Sequence, residues 1–199
     1  MAVAWVSINC LGTMILLGLI AANTLRPGIL GGLSSYPLFT FSEDWGSLRG
    51  ATWKAGFMCF AEQDVLHKIV GAGPDSMWEA ISRHGSMELR NMVQDKFNNL
   101  HLTNAHNEWL TVLVNTGILG VIGYVGMMAG GIRSFLGERK KNAYVCACGF
   151  CLLAYTVNNF FSFQQAMSTP TIFALFGMGR AFQRNLAGGA ERPDKRKIK

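Results

Sequence analysis

The sequence predicts an all-α integral membrane protein with four transmembrane helices and a long, partly helical external loop between the first and the second helix. Half of the residues are hydrophobic and 15% are charged, whereas in soluble domains about a quarter of the residues are charged. The stretches 2–25, 109–132 and 142–179 contain no Asp, Glu, Lys or Arg. Because a hydrocarbon core requires about 20 apolar residues per helix, these runs are long enough to cross a bilayer.

The first two runs hold one span each, and the third run holds two spans separated by a polar turn. The predicted spans are 3–23, 108–132, 143–161 and 170–183. The first run could also be a signal peptide, but it lacks a basic amino-terminal region and a small-residue cleavage site, which favours a retained span. Buried helices of a soluble protein would carry a polar face, and these runs have none.

Charge orients the predicted spans in the membrane. Residues 133–141 carry four basic side chains against one acidic, and residues 180–199 carry seven against two. Residues 23–108 carry seven basic and nine acidic side chains. The positive-inside rule therefore places both termini in the cytoplasm and the loop 24–107 outside. The basic tail 184–199 is predicted to be disordered, and anionic membrane lipid, rather than nucleic acid, is its expected partner.

The loop 24–107 is predicted to contain two helices, at 48–61 and 86–100, with Ser86 as the cap of the second. A tight turn is expected at Gly71-Ala72-Gly73, which lacks the third glycine and the strand–helix context of a nucleotide-binding loop. The histidines of the chain do not have the spacing of zinc ligands, and no thiolate accompanies them, so no metal site is predicted.

Two polar features interrupt the third predicted span. The cysteines of the run 146–151 share a helix face only in part, and packing of small residues between helices is the favoured interpretation. Asn158 and Asn159 lie among apolar residues. They are expected either to line a polar cavity or to bond a neighbouring helix.

His106 is the first candidate for chemistry because it comes just before the second apolar run. The exposed N–H groups at a helix start create a positive local field, which disfavours a charged imidazole and leaves it able to accept a proton. Asn104 or Asn107 could cap this helix and orient the ring. The alternative is a histidine without a chemical role, lying beside Trp109 at the membrane interface.

Arg49 is the second candidate, because small and aromatic residues surround it and would suit a fixed guanidinium. Trp53 lies four residues later on the same helix face. A fixed guanidinium pairs well with phosphate oxygens. The alternative for Arg49 is a solvated surface charge on an external helix.

Three segments together resemble the O-antigen ligase and Wzy-type polymerase superfamily. Residues 104–110 (Asn-Ala-His-Asn-Glu-Trp-Leu), followed by Gly117 and Gly120, resemble the start of its histidine-bearing membrane helix. Residues 47–53 (Ser-Leu-Arg-Gly-Ala-Thr-Trp) resemble its Ser-x-Arg-x-x-x-Trp element, and residues 69–75 (Ile-Val-Gly-Ala-Gly-Pro-Asp) resemble its Gly-x-Gly element. All three occur in the order found in that family and lie on one predicted loop.

The resemblance implies a metal-independent and cofactor-free glycosyltransferase of the GT-C type in the bacterial cytoplasmic membrane. Its substrates would be a polyprenyl-diphosphate-linked glycan and an acceptor hydroxyl. His106 would be the base and Arg49 would hold the diphosphate, which makes these two the expected catalytic residues. Trp53, Gly71, Gly73 and Asn107 are the expected substrate-binding residues.

The resemblance covers about positions 40 to 180, whereas members of the family usually have ten or more spans. The chain therefore resembles only the carboxy-terminal part of such an enzyme and is expected to be a fragment, a truncated gene product or one half of a split enzyme, with the missing amino-terminal spans among its expected partners. An O-antigen ligase-like transfer to an acceptor hydroxyl is the leading prediction, and a polysaccharide polymerase or a protein O-oligosaccharyltransferase shares its chemistry. A non-catalytic membrane subunit is the alternative from a different class of function.

Overall fold

The computed structural model describes residues 2–137 and 142–190, with side chains from 11 to 137 and from 142 to 185. These residues form eight α-helices and two short 3-10 turns, at Gly31–Ser35 and Pro37–Phe39, and contain no strand. The helices are α1 (Ala2–Leu25), α2 (Trp45–Glu62), α3 (Val65–Val70), α4 (Met77–His84), α5 (Met87–Lys96), α6 (Glu108–Leu136), α7 (Ala143–Asn158) and α8 (Ser168–Ala190). The all-helical fold predicted from the sequence is confirmed.

The four predicted spans fall on α1, α6, α7 and α8. Within the described residues, α6 is the one helix that is long and apolar enough to cross a membrane, by length and composition alone. Shorter apolar helices occupy Leu11–Leu25 and Ala143–Asn158. At 1.5 Å per residue, the 29 residues of α6 would extend over roughly 40 Å if the helix were straight. The four-span topology remains a prediction.

The predicted tail needs a correction. Helix α8 runs to Ala190, so residues 184–190 are helical and not disordered. Arg, Leu and Ala of this segment are good helix formers, and the helix also includes Gly188 and Gly189, which are poor ones. Residues 191–199 of the predicted tail, and residues 138–141 of the predicted basic turn, lie outside the described part of the chain.

The chain was expected to form one membrane domain over 1–183, and the structure divides it into two compact units. The first unit comprises the described residues up to Gln63 together with Asp75–Ala105. The second unit comprises Asp64–Pro74 and the described residues from His106 onward.

In the first unit, α2 packs against α4 and α5. Small residues of α2 are fully buried at this contact, which lets the neighbouring helices approach closely. The buried side chains are Ala51, Ala55 and Cys59 on α2, Met77, Ala80 and Ile81 on α4, and Leu89 and Val93 on α5. The predicted helices at 48–61 and 86–100 correspond to α2 and α5, and the hydroxyl of Ser86 accepts the Leu89 N–H at 3.2 Å, as its predicted cap role requires.

The end of α1 is tied to the loop that follows it by the buried side chain of Asn23. Its amide nitrogen donates to the Phe39 carbonyl at 3.1 Å and to the Thr40 hydroxyl at 2.8 Å. Its carbonyl oxygen accepts from the Ser34 hydroxyl at 2.7 Å. A loop that reads as irregular in the sequence is therefore held in one conformation by a single polar residue.

In the second unit, α6 packs against α3 and α7, and α7 packs against α8. Glycines allow this close packing: a Cβ atom on Gly131 would lie 2.3 Å from the Phe176 ring, and one on Gly149 would lie 2.7 Å from Leu136. The buried core comprises Met128, Phe135, Val145, Cys148, Leu152 and Tyr155. Cys148 is thus a small packing residue, as the sequence indicated.

Candidate functional site

His106 lies directly before the first residues of α6. Its backbone is left-handed, with φ at 48°, a conformation that histidine adopts more readily than most non-glycine residues. Its half-buried ring meets the ring of Phe163 edge to face, with centroids 5.2 Å apart and planes at 66°. The bend at His106 separates the preceding loop from the helix and places the imidazole at the start of α6.

Asn107 is the cap of α6. Its side-chain oxygen accepts the Leu110 N–H at 3.2 Å, and its carbonyl accepts both the N–H and the hydroxyl of Thr111 at 3.0 Å. The side chain is buried, with 6% of the residue exposed. The prediction that Asn104 or Asn107 caps this helix is confirmed for Asn107. Its role in substrate binding stays a prediction.

Glu108 is a site residue that the sequence analysis passed over. It is 3% exposed, and its carboxylate accepts the Gln164 N–H at 2.9 Å. Its own N–H is shared between the carbonyls of Asn159 at 2.8 Å and Ser162 at 2.9 Å. These bonds tie the start of α6 to the turn that carries Phe163. The signal was an acidic residue in the first helical turn, where the helix dipole favours negative charge.

Helix α6 is interrupted at Gly117, whose φ of 65° and ψ of −169° are not helical. In a regular helix, the carbonyls of residues 114 and 115 would pair with the N–H groups four residues later. Here they accept from Ala72 at 3.0 Å and Gly73 at 2.9 Å. The N–H groups of the Gly-x-Gly turn therefore satisfy carbonyls that the interruption of α6 leaves without their helical partners. Such pairing matters in a membrane, because an unpaired backbone group there costs several kcal/mol.

Close backbone contact explains the glycines of this turn. A Cβ atom on Gly71 would lie 2.2 Å from the Asn115 carbonyl, and one on Gly117 would lie 2.4 Å from the Ile69 carbonyl. The Gly71 N–H donates to the His67 carbonyl at 2.7 Å. Because the N–H groups of the turn already donate to protein carbonyls, Gly71 and Gly73 are structural residues, and their contact with substrate stays a prediction.

Buried asparagines add polarity to the second unit. Asn159 donates from its amide nitrogen to the Tyr124 hydroxyl on α6 at 2.9 Å, so the expectation that it bonds a neighbouring helix is confirmed. The side-chain oxygens of Asn159 and Asn115 are buried without a hydrogen-bond partner among the described residues. Asn158, in contrast, is exposed.

Arg49 lies at an unusual helix start in the first unit. The three residues before it, Gly46, Ser47 and Leu48, all have φ between 60° and 68°. The half-buried Arg49 donates from Nη1 to the Gly46 carbonyl at 2.7 Å. A Cβ atom on Gly50 would lie 1.8 Å from the Ser42 carbonyl, so only glycine fits there. The left-handed backbone of residues 46–48 thus places the Gly46 carbonyl within hydrogen-bond distance of the Arg49 guanidinium.

Trp53 belongs to an aromatic cluster beside this helix start. Its ring centroid lies 5.9 Å from that of Phe41 and 5.7 Å from that of Trp45. The indole N–H of Trp45 donates to the Leu38 carbonyl at 3.1 Å. The cluster gives α2 an apolar flank, and its contact with substrate stays a prediction.

A surface network of charges accompanies the same helix. Lys54 approaches the Glu43 carboxylate at 2.8 Å and Lys96 approaches it at 3.5 Å. Lys96 also pairs with Asp44 at 2.9 Å. The hydrogen bond and charge of Lys54, followed by those of Lys96, hold the pKa of Glu43 below its usual value. Within the first unit, Glu43 therefore remains a carboxylate near the start of α2.

The structure brings His106 and Asn107 together with Glu108 at the start of α6, and it brings Gly71 and Gly73 to the break in the same helix. Arg49 and Trp53 share a helix in the first unit. No protein-family model matches this chain, and no curated protein or solved structure matches it either.

Proposed function

We propose that this chain is the carboxy-terminal module of a membrane glycosyltransferase similar to the O-antigen ligases. It would transfer a glycan from a polyprenyl-diphosphate carrier to an acceptor hydroxyl on the outer face of the bacterial cytoplasmic membrane. The observation that carries the proposal is the start of α6: a histidine in a left-handed bend stands directly before a side-chain cap. The helix that follows is long and apolar enough to cross a bilayer.

The chemistry assigned to His106 is proton removal. Its imidazole takes the proton of the acceptor hydroxyl while the oxygen forms a bond to the anomeric carbon of the glycan. The positive field of the helix start favours a neutral imidazole, which is the form that accepts a proton. Phe163 limits the orientations of the ring, and Glu108 holds Phe163 in place through the 159–164 turn.

Arg49 is assigned to the leaving group. As the bond between the anomeric carbon and the diphosphate oxygen breaks, the electron pair stays on the diphosphate, and a guanidinium stabilises the charge that develops there. The hydrogen bond from Nη1 to the Gly46 carbonyl fixes the guanidinium relative to its own backbone. Such preorganisation is what makes electrostatic stabilisation effective in catalysis.

The proposed setting is a four-span arrangement with both termini in the cytoplasm and residues 24–107 outside. The basic residues after the second and fourth predicted spans support this orientation. The proposed partners are the substrate, the acceptor and the further membrane spans that the resemblance implies.

The test is glycan transfer by membranes containing the chain together with polyprenyl-diphosphate-linked glycan and a panel of acceptors. We expect His106→Ala to lower the transfer rate by about 10²–10⁴-fold, the usual effect of a general base. His101→Ala removes an exposed histidine of the first unit and serves as the control. Arg49→Ala should also abolish most transfer, with Arg26→Ala as its control.

Unchanged transfer by both His106→Ala and Arg49→Ala would overturn the assigned roles. Absence of transfer by the wild-type chain, even with the missing spans supplied as a separate polypeptide, would favour a non-catalytic subunit. The acceptor that becomes glycosylated would distinguish a ligase from a polymerase and from a protein glycosylating enzyme.

A further inference from the structure

A cavity of about 810 Å³ opens between the carboxy-terminal parts of α6 and α8, within the second unit. Its side-chain lining consists of three arginines, Arg133, Arg180 and Arg184, with Ser134 and Gln183 between them. Two glycines complete the lining. The volume is within the 300–1,000 Å³ range typical of small-molecule sites. We call these seven residues the arginine groove.

Hydrogen bonds across the two helices order the centre of the groove. Arg180 on α8 donates from Nη1 to the Ser134 hydroxyl on α6 at 2.8 Å and to the side-chain oxygen of Gln183 at 3.2 Å. The amide nitrogen of Gln183 donates to the Ser134 carbonyl at 2.9 Å. Among the described residues, the guanidinium of Arg180 is therefore held by two neutral partners, Ser134 and Gln183.

Of the residues that the structure describes, none that lines the groove is acidic, and none forms a carboxylate ion pair with any of its three arginines. All three arginines are exposed, so water and salt screen their mutual repulsion, and an anion that enters the groove can contact more than one guanidinium. Gly130 and Gly137 contribute no side chains that would fill the space. Water alone is enough to solvate an isolated basic residue after a membrane helix. Here one ordered guanidinium, that of Arg180, and two guanidiniums without such bonds line the same groove, and this arrangement suits a multivalent anion.

We infer that the arginine groove binds a phosphate-bearing ligand. Guanidinium groups pair with phosphate oxygens through parallel N–H···O bonds, and the Ser134 hydroxyl and Gln183 amide can supply further polar contacts. The phosphate could belong to the headgroup of an anionic lipid or to a soluble phosphate compound. This inference is independent of glycan transfer, because it concerns the end of α6 opposite to His106.

The lipid source is tested with the purified chain in nanodiscs of phosphatidylcholine, alone or with phosphatidylglycerol as a minor component. We expect native mass spectrometry to find phosphatidylglycerol retained by the wild-type chain. The soluble source is tested by titrating inorganic phosphate and pyrophosphate into the phosphatidylcholine nanodiscs and measuring the unfolding temperature, which a ligand of the folded state raises.

Two variants distinguish a specific binding site from the general attraction of anions to a positively charged protein. Arg133→Gln together with Arg184→Gln removes two charges from side chains that form no hydrogen bond within the described part of the chain, and about tenfold or greater loss of affinity is expected. Ser134→Ala keeps every charge but removes the hydroxyl that orients Arg180, and we expect severalfold weaker binding. Arg26→Gln, at an exposed arginine outside the groove, should bind like the wild type.

Lipid retention that depends on Arg133, Arg184 and Ser134 would identify a headgroup site. A rise in unfolding temperature with phosphate or pyrophosphate and the same dependence would identify a soluble ligand. Binding of neither probe by the wild-type chain would overturn the inference. So would binding that Arg26→Gln weakens as much as the groove variants do, because the attraction would then follow net charge alone.

Discussion

The helix starts beside the two predicted catalytic residues, His106 and Arg49, differ from each other. Helix α6 begins with a side-chain cap from Asn107 and a buried residue, Glu108, whose carboxylate accepts the Gln164 N–H. Helix α2 begins at Trp45 without a side-chain cap from Asp44, and its first turn contains three left-handed residues, 46–48. Polar side chains therefore define the start of α6, whereas backbone conformation and aromatic packing define the start of α2.

This difference between the two helix starts shows how the side chains of His106 and Arg49 are positioned. His106 is itself left-handed, but it directly precedes the Asn107 cap, whose hydrogen bonds to Leu110 and Thr111 fix the start of α6. Arg49 directly follows two non-glycine residues, Ser47 and Leu48, whose left-handed backbone is unfavourable, since such conformations cost about 1–2 kcal/mol per non-glycine residue. Strain that persists beside a candidate site is a basis for a functional hypothesis, and here it accompanies the contact from Arg49 to the Gly46 carbonyl.

The largest expected effect concerns the break that ends the first turns of α6. Gly117→Ala places a Cβ atom against the Ile69 carbonyl and the Gly71 N–H while φ is 65°. We expect a loss of about 3 kcal/mol in the free energy of unfolding, from strain and backbone displacement together. The measurement is thermal unfolding of the purified chain in detergent. Gly123→Ala, in open space on the same helix, should change stability by about 1 kcal/mol or less.

If Gly117→Ala and Gly123→Ala proved equally stable, the docking of the Gly-x-Gly turn into α6 would be wrong. The start of α6 would then depend on its cap alone.

An intermediate effect is expected for the cap itself. Asn107→Ala removes the acceptor for the buried Leu110 N–H, and we expect a loss of about 1–2 kcal/mol. Asn107→Ser keeps a capping oxygen and should retain most of the stability. Chemical denaturation of the three proteins provides the comparison. Equal stabilities for the alanine and serine variants would show that the cap does not define this helix start.

The smallest expected effect has the opposite sign and concerns α2. Ser47→Gly removes the side chain from an exposed residue with φ at 60°, and we expect a gain of about 1 kcal/mol. Ser82→Gly, in the regular helix α4, should instead lose about 0.5–1 kcal/mol. The same denaturation measurement compares them. A loss of stability in Ser47→Gly would show that the left-handed start of α2 carries no strain at this position.

The parts of the fold that the sequence predicted are those with a local cause. Uncharged runs predicted the helices α1, α6, α7 and α8, and Ser86 and Asn107 were recognisable as caps because short polar side chains bond N–H groups within the next turn. The helices α3 and α4 were missed, because six- and eight-residue helices have too few turns to show a period. The helical extension to Ala190 was missed because the charges of the tail, together with Gly188-Gly189 and Pro193, were taken as signs of disorder.

In the candidate site, too, the features with a local cause could be predicted from the sequence, and those that depend on distant residues could not. His106, Asn107, Gly71 and Gly73 were identifiable from motif order and from their position before an apolar run. The burial of Glu108 was not predictable, since a carboxylate becomes buried only when the distant 159–164 turn supplies its donor. The arginine groove was visible only as a basic composition until Ser134 and Arg180 were seen to meet across two helices.

Local chemistry alone was enough to establish that this chain is helical, rich in apolar runs, and marked by a histidine before a cap. Hydrophobic periodicity and capping depend on residues that are close together in the sequence, so both can be recognised from a short stretch of it. The break in α6 and its repair by Ala72 and Gly73 required the folded chain, because a carbonyl that loses its helical partner can be satisfied only by whichever backbone packs against it.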